Sequence, residues 1–398
     1  MSNKYPKLRK NNSCDNWLFT TLGDVTREYK VSNKYVHHQN LLSLSYGKIV
    51  KKDIEAKKGL LPASFDTYQI IKEGIIVFRV TDLQNDKKSL RVGISSQEGI
   101  ITPAYVCVEC TTDEISPMYL FTLLHYYDSI TKVMYNMGNG LRQTLSYSDL
   151  KGLNIPIPPL SEQHFITDIF FHIDSIISEE TSRLASLKQV KEASLQAMFP
   201  QKGETVPKIR FKGFEEEWEE VLLGSLFSER VENDVTAEML SVTMHDGIIK
   251  ANENGRYDNS NSDRSNYKLV LKDDIAYNTM RMWQGASGCS PYSRGIVSPA
   301  YTVITPNVGV CSVFFAFYFK TNGLINKFRL NSQGLTKDTW NLKYPAFSSI
   351  SILYPTNVLE QQRIASYFTS LDKQITLQTQ RLEKLKQIKA ACLDKMFV

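Results

Sequence analysis

The sequence is poor in the patterns that most chemistry needs. Six cysteines in 398 residues, without framework spacing, argue against a disulfide-built fold and fit an intracellular protein with reduced thiols. The longest apolar-rich run, Val310 to Phe319, is about half of what a bilayer span requires and reads as a buried helix or strand. The opening segment is positively charged with no apolar run behind it, so no signal peptide is expected. A glycine-rich phosphate loop ending in Lys and Ser or Thr is missing, which leaves ATP hydrolysis without a seat. The methyltransferase signature Asn-Pro-Pro-Tyr is missing too. His37, His38, His125, His164, His172 and His245 form no metal motif. Cys107 and Cys110 make one Cys-x-x-Cys pair whose counterparts are Val303 and Pro306, whereas a structural zinc needs four ligands, so this pair reads as a buried strand end. Asp53-Ile-Glu-Ala-Lys57, lying among further lysines, reads as solvated surface, and nothing selects a nucleophile. With Lys plus Arg 47 against Asp plus Glu 42, the net charge of +5 permits a nucleic-acid partner without requiring one.

What the chain does have is itself, twice. Leu184-Ala-Ser-Leu-Lys-Gln-Val-Lys191 returns as Leu382-Glu-Lys-Leu-Lys-Gln-Ile-Lys389, and Met198-Phe199 returns as Met396-Phe397. Pro6-Lys-Leu-Arg9 returns as Pro207-Lys-Ile-Arg210, and Trp17 with Leu22-Gly23 returns at the same offset as Trp218 with Leu223-Gly224. Gly99-Ile-Ile-Thr-Pro-Ala-Tyr105 matches Gly295-Ile-Val-Ser-Pro-Ala-Tyr301, while the residues between these anchors diverge in type and local length. A repeated frame with unlike interiors suits a molecule that holds two different things at once.

At 42% apolar content the chain is long enough for two cores. Residues 1–160 form a first domain, 161–199 a central long helix, 200–217 a linker, 218–358 a second domain and 359–398 a C-terminal long helix. Short apolar bursts such as Gly74-Ile-Ile-Val-Phe78, broken by Gly and polar turns, have the texture of strands. A helix is predicted from about Pro117 to Tyr127, with Pro at a permitted early position. Ile155-Pro-Ile-Pro158 and Pro159 must lie in an extended exit from the first domain. The second copy loses most of these prolines between Ser351 and Thr356, which leaves its exit geometry open. Trp17, Trp218, Tyr105 and Tyr301 read as residues that pack at domain bases or anchor turns rather than as stacking platforms.

From Ser161, read as a helix cap with acidic Glu162 facing the exposed amides, a heptad stripe runs through Phe170, Ile173, Ile177, Leu184 and Leu187. The second copy repeats it as Phe368, Leu371, Ile375, Leu382 and Leu385, with polar interruptions at Glu180 and Gln378 and at Lys191 and Lys389. Matching stripes predict that the two helices pack on each other, as an antiparallel pair.

In order, recurrence and length, these elements resemble the specificity subunit of a type I DNA restriction-modification enzyme. The residues that carry the resemblance are the Trp17 and Trp218 elements, Pro103-Ala-Tyr105 with Pro299-Ala-Tyr301, Ile155 to Gln163 with Leu359-Glu-Gln-Gln-Arg-Ile364, and the two long helices. The resemblance implies an α/β fold: two pseudo-symmetric α/β target recognition domains separated by an antiparallel pair of long coiled-coil helices. It implies a bacterial or archaeal cytoplasmic subunit with no chemistry of its own, which reads a bipartite double-stranded DNA target. Two methyltransferase subunits that bind S-adenosylmethionine would dock on it, and two ATP- and magnesium-dependent restriction subunits would complete the enzyme. No membrane partner is implied.

DNA reading requires cations for phosphates, and amide or guanidinium groups for base edges. The first domain offers Lys51, Lys52, Lys57, Lys58, Arg79, Lys87, Lys88, Arg91, Arg142 and Gln143. The second offers Arg256, Arg264, Arg281, Gln284, Arg294, Gln333 and Lys337. Arg142, Gln143, Gln333 and Lys337 follow matched glycine-containing turns at Gly138 and Gly334, and those turns read equally well as simple hairpin closures. Two alternatives stay open on the residues alone: a non-catalytic scaffold holding two protein partners, and the recognition subunit of a related restriction system.

Overall fold

The computed structural model describes residues 6–9, 17–36, 38–52, 64–81, 83, 90–137, 144–201, 203–244, 246–254, 264–337 and 339–397. The chain divides into two compact units, Met1–Thr181 with Gln380–Val398, and Ser182–Thr379. Each long helix is shared between the two units: α4 (Leu160–Ala197) and α9 (Val358–Met396).

The first unit is built on a four-stranded antiparallel sheet in the order β2 (Thr26–Glu28), β9 (Val106–Cys110), β6 (Ile76–Phe78), β7 (Val92–Ile94). Successive side chains of a strand point to opposite faces. Ile76 and Phe78 join the main core with α2 (Pro117–Tyr126), while Val77 joins a smaller cluster with Leu42 and Ile101. Apolar residues on consecutive positions are therefore what a sheet covered on both faces requires. Cys107 is buried on β9 beside Val77, and burial pushes its thiol up to about 12. Two-stranded ladders complete the unit: β3 (Leu42–Ser45) with β4 (Lys48–Lys51), and β5 (Gln69–Ile71) with β8 (Gly99–Ile101).

The second unit repeats this plan. Its sheet runs β12 (Phe227–Glu229), β19 (Tyr301–Pro306), β16 (Ile275–Asn278), β17 (Ser287–Cys289). Ile275 and Tyr277 face the main core, which contains Phe314, Phe315 and Tyr318 of α6 (Ser312–Tyr318), and Ala276 faces a smaller cluster with Leu240 and Val303. The long apolar run near residue 315 is thus a buried helix.

The start and the exit of each domain pair with each other. β1 (Leu18–Thr21) lies antiparallel to β10 (Asn154–Ile157), Leu18 opposite Ile157. β11 (Glu219–Leu222) lies antiparallel to β20 (Ser351–Tyr354), Glu219 opposite Tyr354. The exit strand keeps its place without the prolines, because a two-stranded ladder accepts Pro156 at an edge but does not need it. The repeated Leu-Gly motif opens α1 (Leu22–Val25) and α5 (Leu223–Leu226). A Cβ on Gly23 would meet the Lys151 Cβ at 3.0 Å, and one on Gly224 the Ser348 Cβ at 2.8 Å, so only glycine lets these turns seat so closely.

One expectation needs correction. Ser161 is not the cap of α4, which begins at Leu160; the Pro159 carbonyl accepts from the Glu162 and Gln163 amides. The helix thus opens directly after Pro159, two residues before the start that a Ser161 cap implies. Glu162, far from facing solvent-exposed amides, is 1% exposed.

Candidate nucleic-acid interface

The buried glutamate at the start of each long helix holds the root of the domain that precedes it. In the first unit the Arg9 guanidinium grips Glu162 through Nε to Oε1 at 2.9 Å and Nη2 to Oε2 at 2.7 Å, and Trp17 Nε1 donates to Oε2 at 3.2 Å. In the second, Arg210 grips Glu360 in the same bidentate way at 2.6 and 2.8 Å, and its own pKa is raised by that bond. The next residue is also used twice. Gln163 accepts from the Ser116 amide and donates to Pro158 O and Glu114 O, while Gln361 accepts from the Cys311 amide and donates to Pro355 O and the Tyr354 hydroxyl. Matched Arg, Glu and Gln residues are thus the joint between a variable domain and a helix, joined in the first unit by Trp17.

Within each unit the two helices run antiparallel. In the first unit Asp174 pairs with Lys389 at 2.6 Å and Glu180 with Arg381 at 2.8 Å; in the second, Lys191 pairs with Asp372, and the Ser194 and Tyr367 hydroxyls lie 2.9 Å apart. The Lys191 and Lys389 interruptions are therefore one ion pair written twice. Of the predicted stripe, Phe170, Phe368, Leu371 and Leu382 are buried, and Ile173, Ile177, Leu184, Leu187, Ile375 and Leu385 are half-buried. The repeated Met-Phe ends each fill a core. Phe397 stacks on Phe170 and Tyr126 in the first unit, and Phe199 stacks on Tyr318 and Phe368 in the second.

The candidate DNA-contacting residues divide sharply by environment. In the second unit Arg281 and Gln284 are exposed on a short helical turn (Met282–Gln284), beside α7 (Asn322–Asn331). Gln333 and Lys337 are exposed on the hairpin that follows α7, where the Gln333 and Asn341 backbones pair. The two segments that carry these residues adjoin: Leu342 N donates to Thr279 O at 2.8 Å, and the Trp283 and Trp340 rings meet edge to face at 5.2 Å. Sequence reasoning missed this tryptophan pair. The available signal was that Trp283 adjoins Gln284 and Trp340 follows closely on Lys337. Arg294 is exposed but held by Asp234 at 2.6 Å, and Arg264 is half-buried; neither joins the group. Arg256 lies outside the described residues.

In the first unit Lys51 and Lys52 are exposed at the end of β4, and Arg79 is half-buried. Arg91 is 1% exposed: its guanidinium donates to Thr81 O at 2.6 Å and to the Tyr135 hydroxyl at 3.2 Å. An arginine spent on interior carbonyls cannot reach a phosphate, so Arg91 belongs to the domain's interior rather than to an exposed cation set. Lys57, Lys58, Lys87, Lys88, Arg142 and Gln143, together with the Gly138 turn, lie outside the described residues.

Among the described residues no cluster of three or more His, Cys, Asp or Glu side chains could hold a metal, and no helix is long and apolar enough to cross a membrane. His125 is instead half-buried, stacked on Phe121, and its burial, aided by Lys389, pushes its pKa down to about 4.

Against known proteins, the family described as type I restriction modification DNA specificity domain matches residues 100–189 and 215–387. The protein named as the MjaX type I restriction enzyme specificity subunit of Methanocaldococcus jannaschii is 27% identical over 117 residues, 28% of each chain. The match thus spans just over a quarter of that relative's length. The crystal structure of a type I restriction-modification system S subunit from M. genitalium superposes with TM-score 0.61 at 15% identity, covering 99% of each chain. A structure from work on complex assembly and conformational transition of the type I R-M system gives TM-score 0.50 at 15% identity, covering 96% of this chain and 97% of that one.

Proposed function

The chain belongs to the type I restriction-modification DNA specificity family, and on that premise we propose that it is a non-catalytic subunit that reads a bipartite double-stranded DNA target. Each α/β domain would recognise one half of the target. Exposed cations such as Lys51, Lys52, Arg281 and Lys337 would set position on the phosphates, and groups such as Gln284 and Gln333 would reach base edges in a major groove. The helices α4 and α9 would fix how many unread base pairs separate the halves. Two methyltransferase subunits, using S-adenosylmethionine, would dock on this frame and modify adenines flipped out of the duplex. Two restriction subunits, using ATP and magnesium, would complete the enzyme. No step of either reaction is assigned to a residue of this chain.

The observation that carries this reading is a joint repeated atom for atom, Arg9 on Glu162 and Arg210 on Glu360, around interiors that differ. A constant joint with changeable loops is what two independent readers on one frame require. The test is methylation of randomised duplexes by the assembled modification enzyme, before and after residues 15–158 are exchanged for those of a relative. One recognised half should change and the other stay. If both halves are unaltered, the proposal is wrong.

A further inference from the structure

The hairpin after α7 ends in a side chain that the fold does not use. Leu335 is 102% exposed, between Gly334 and Thr336 at the tip. A leucine there adds nothing to a core. The hairpin that presents it is nevertheless tightly built. Gln333 and Asn341 exchange backbone hydrogen bonds at 3.0 and 2.8 Å, Thr336 N donates to Thr339 Oγ1 at 3.1 Å, and Thr339 N returns a bond to Thr336 O at 3.0 Å. Gly334 sits at φ +148 with the Thr339 carbonyl only 2.5 Å from where a Cβ would stand, so the turn admits no other residue without opening. Trp340 braces the base of the hairpin against Trp283, whose Nε1 donates to Met280 O at 3.0 Å. An apolar side chain is thus held out on a hydrogen-bonded hairpin, flanked by the exposed Gln333 and Lys337, with Arg281 and Gln284 on the neighbouring turn.

From this arrangement, and resting on the DNA-reading function proposed above, we infer that Leu335 is the apolar base reader of the second domain, with the Trp283–Trp340 pair as its positioning strut. The occupant is double-stranded DNA. Residues 279–288 contain no acidic side chain, and 326–343 contain Asp338 alone against Lys327, Arg329, Lys337 and Lys343, so the segments that form this face carry a net positive charge suited to phosphate. The bases of a major groove present one apolar feature, the thymine methyl, beside hydrogen-bonding edges that Gln333 can address. A leucine between an amide and a cation matches that mixture, and stiffness matters because an ordered support loses little entropy on binding.

The experiment compares wild type, Leu335→Ala and Trp340→Ala, each as the full chain assembled with its methyltransferase partner, by methylation of randomised duplexes. Leu335→Ala should lose about fivefold of the preference at one or two adjacent positions of the second half-site, the scale of one or two apolar groups removed from contact, and leave the first half-site unchanged. Trp340→Ala should weaken preference across the second half-site. Should the wild type recognise a bipartite site and Leu335→Ala retain every preference, the Leu335 role is overturned while the DNA-reading function stands. If instead Leu335→Ala reduces co-purification of the methyltransferase, the tip is a protein contact and the inference is equally lost. A wild-type complex with no sequence preference would remove the function itself.

Discussion

Cutting the guanidinium from Arg210 should unseat the second domain more than the same cut at Arg9 unseats the first. Glu360 is 1% exposed and meets Arg210, itself 15% exposed, through two charge-assisted bonds at 2.6 and 2.8 Å. Arg210→Met leaves that carboxylate buried opposite an apolar chain, and removing one partner of a buried ion pair costs about 3–5 kcal/mol. In the first unit Trp17 Nε1 still donates to Glu162 after Arg9→Met, whereas Trp218 Nε1 is buried with no hydrogen-bond partner. A hydrogen bond to a charged group contributes about 1.5–3 kcal/mol, so Arg9→Met should be the milder change by roughly that amount. Adding Glu360→Gln to Arg210→Met should restore part of the loss, because a neutral amide is less costly to bury than an unpaired carboxylate. Hydrogen exchange under native conditions, read on peptides from each unit, measures the two openings separately. An Arg210→Met loss below about 1 kcal/mol, or an Arg9→Met loss as large, would refute the buried-clamp reasoning.

Phe397→Ala should loosen the first unit by about 3–5 kcal/mol while sparing the second, since its ring packs on Tyr119, Tyr126 and Phe170; equal loss of exchange protection in both units would contradict this. Because burial lowers the His125 pKa from 6.5 to about 4, the unfolded chain binds a proton there before the folded one does. Stability is therefore present above pH 6.5 and lost as pH falls towards 4, by about 2 kcal/mol between pH 7 and 5. His125→Phe should flatten that part of the pH profile of urea midpoints, and an unchanged profile would count against burial as the cause. Inserting one helical heptad after Thr181 and another after Thr379 adds about 10 Å to each helix. The methylated target should then tolerate a spacer longer by about three base pairs at 3.4 Å each; an unmoved spacer would sink the ruler role of the helices.

The frame was legible because duplication turns weak signals into strong ones. A lone Met-Phe or Leu-Gly means little, but each recurs where close contact demands it: Phe199 and Phe397 in aromatic cores, Gly23 and Gly224 where a Cβ would strike a neighbouring turn. The heptad stripe and its lysine interruptions were equally readable, since a period of seven survives without knowledge of the partner. Glu162 was misread, because an acid in a first helical turn ordinarily serves the exposed amides. Only tertiary structure brings Arg9 and Trp17 onto it from far away in sequence. Arg91 was misjudged for the same reason: a sequence counts guanidiniums without saying which of them end on interior carbonyls.

These outcomes separate two kinds of information in the chain. The joint is determined by a few residues whose partners are themselves repeated, so it can be inferred by comparing the copies. The surface proposed to read DNA depends on which loops become neighbours, as Trp283 and Trp340 do across more than fifty residues of sequence. No local pattern encodes that distance. The frame anchors each domain through Arg, Glu and Gln at its root, and none of these residues lies in the loops that carry the exposed candidate cations. Leu335 is fully exposed at the hairpin tip, while Leu342 beyond the hairpin is buried in the main core. Exposed side chains such as Leu335 can be exchanged at little cost in stability, because surface substitutions away from packed features usually alter it by no more than about 0.5 kcal/mol. On the proposed reading, such an architecture would acquire new targets without refolding its root.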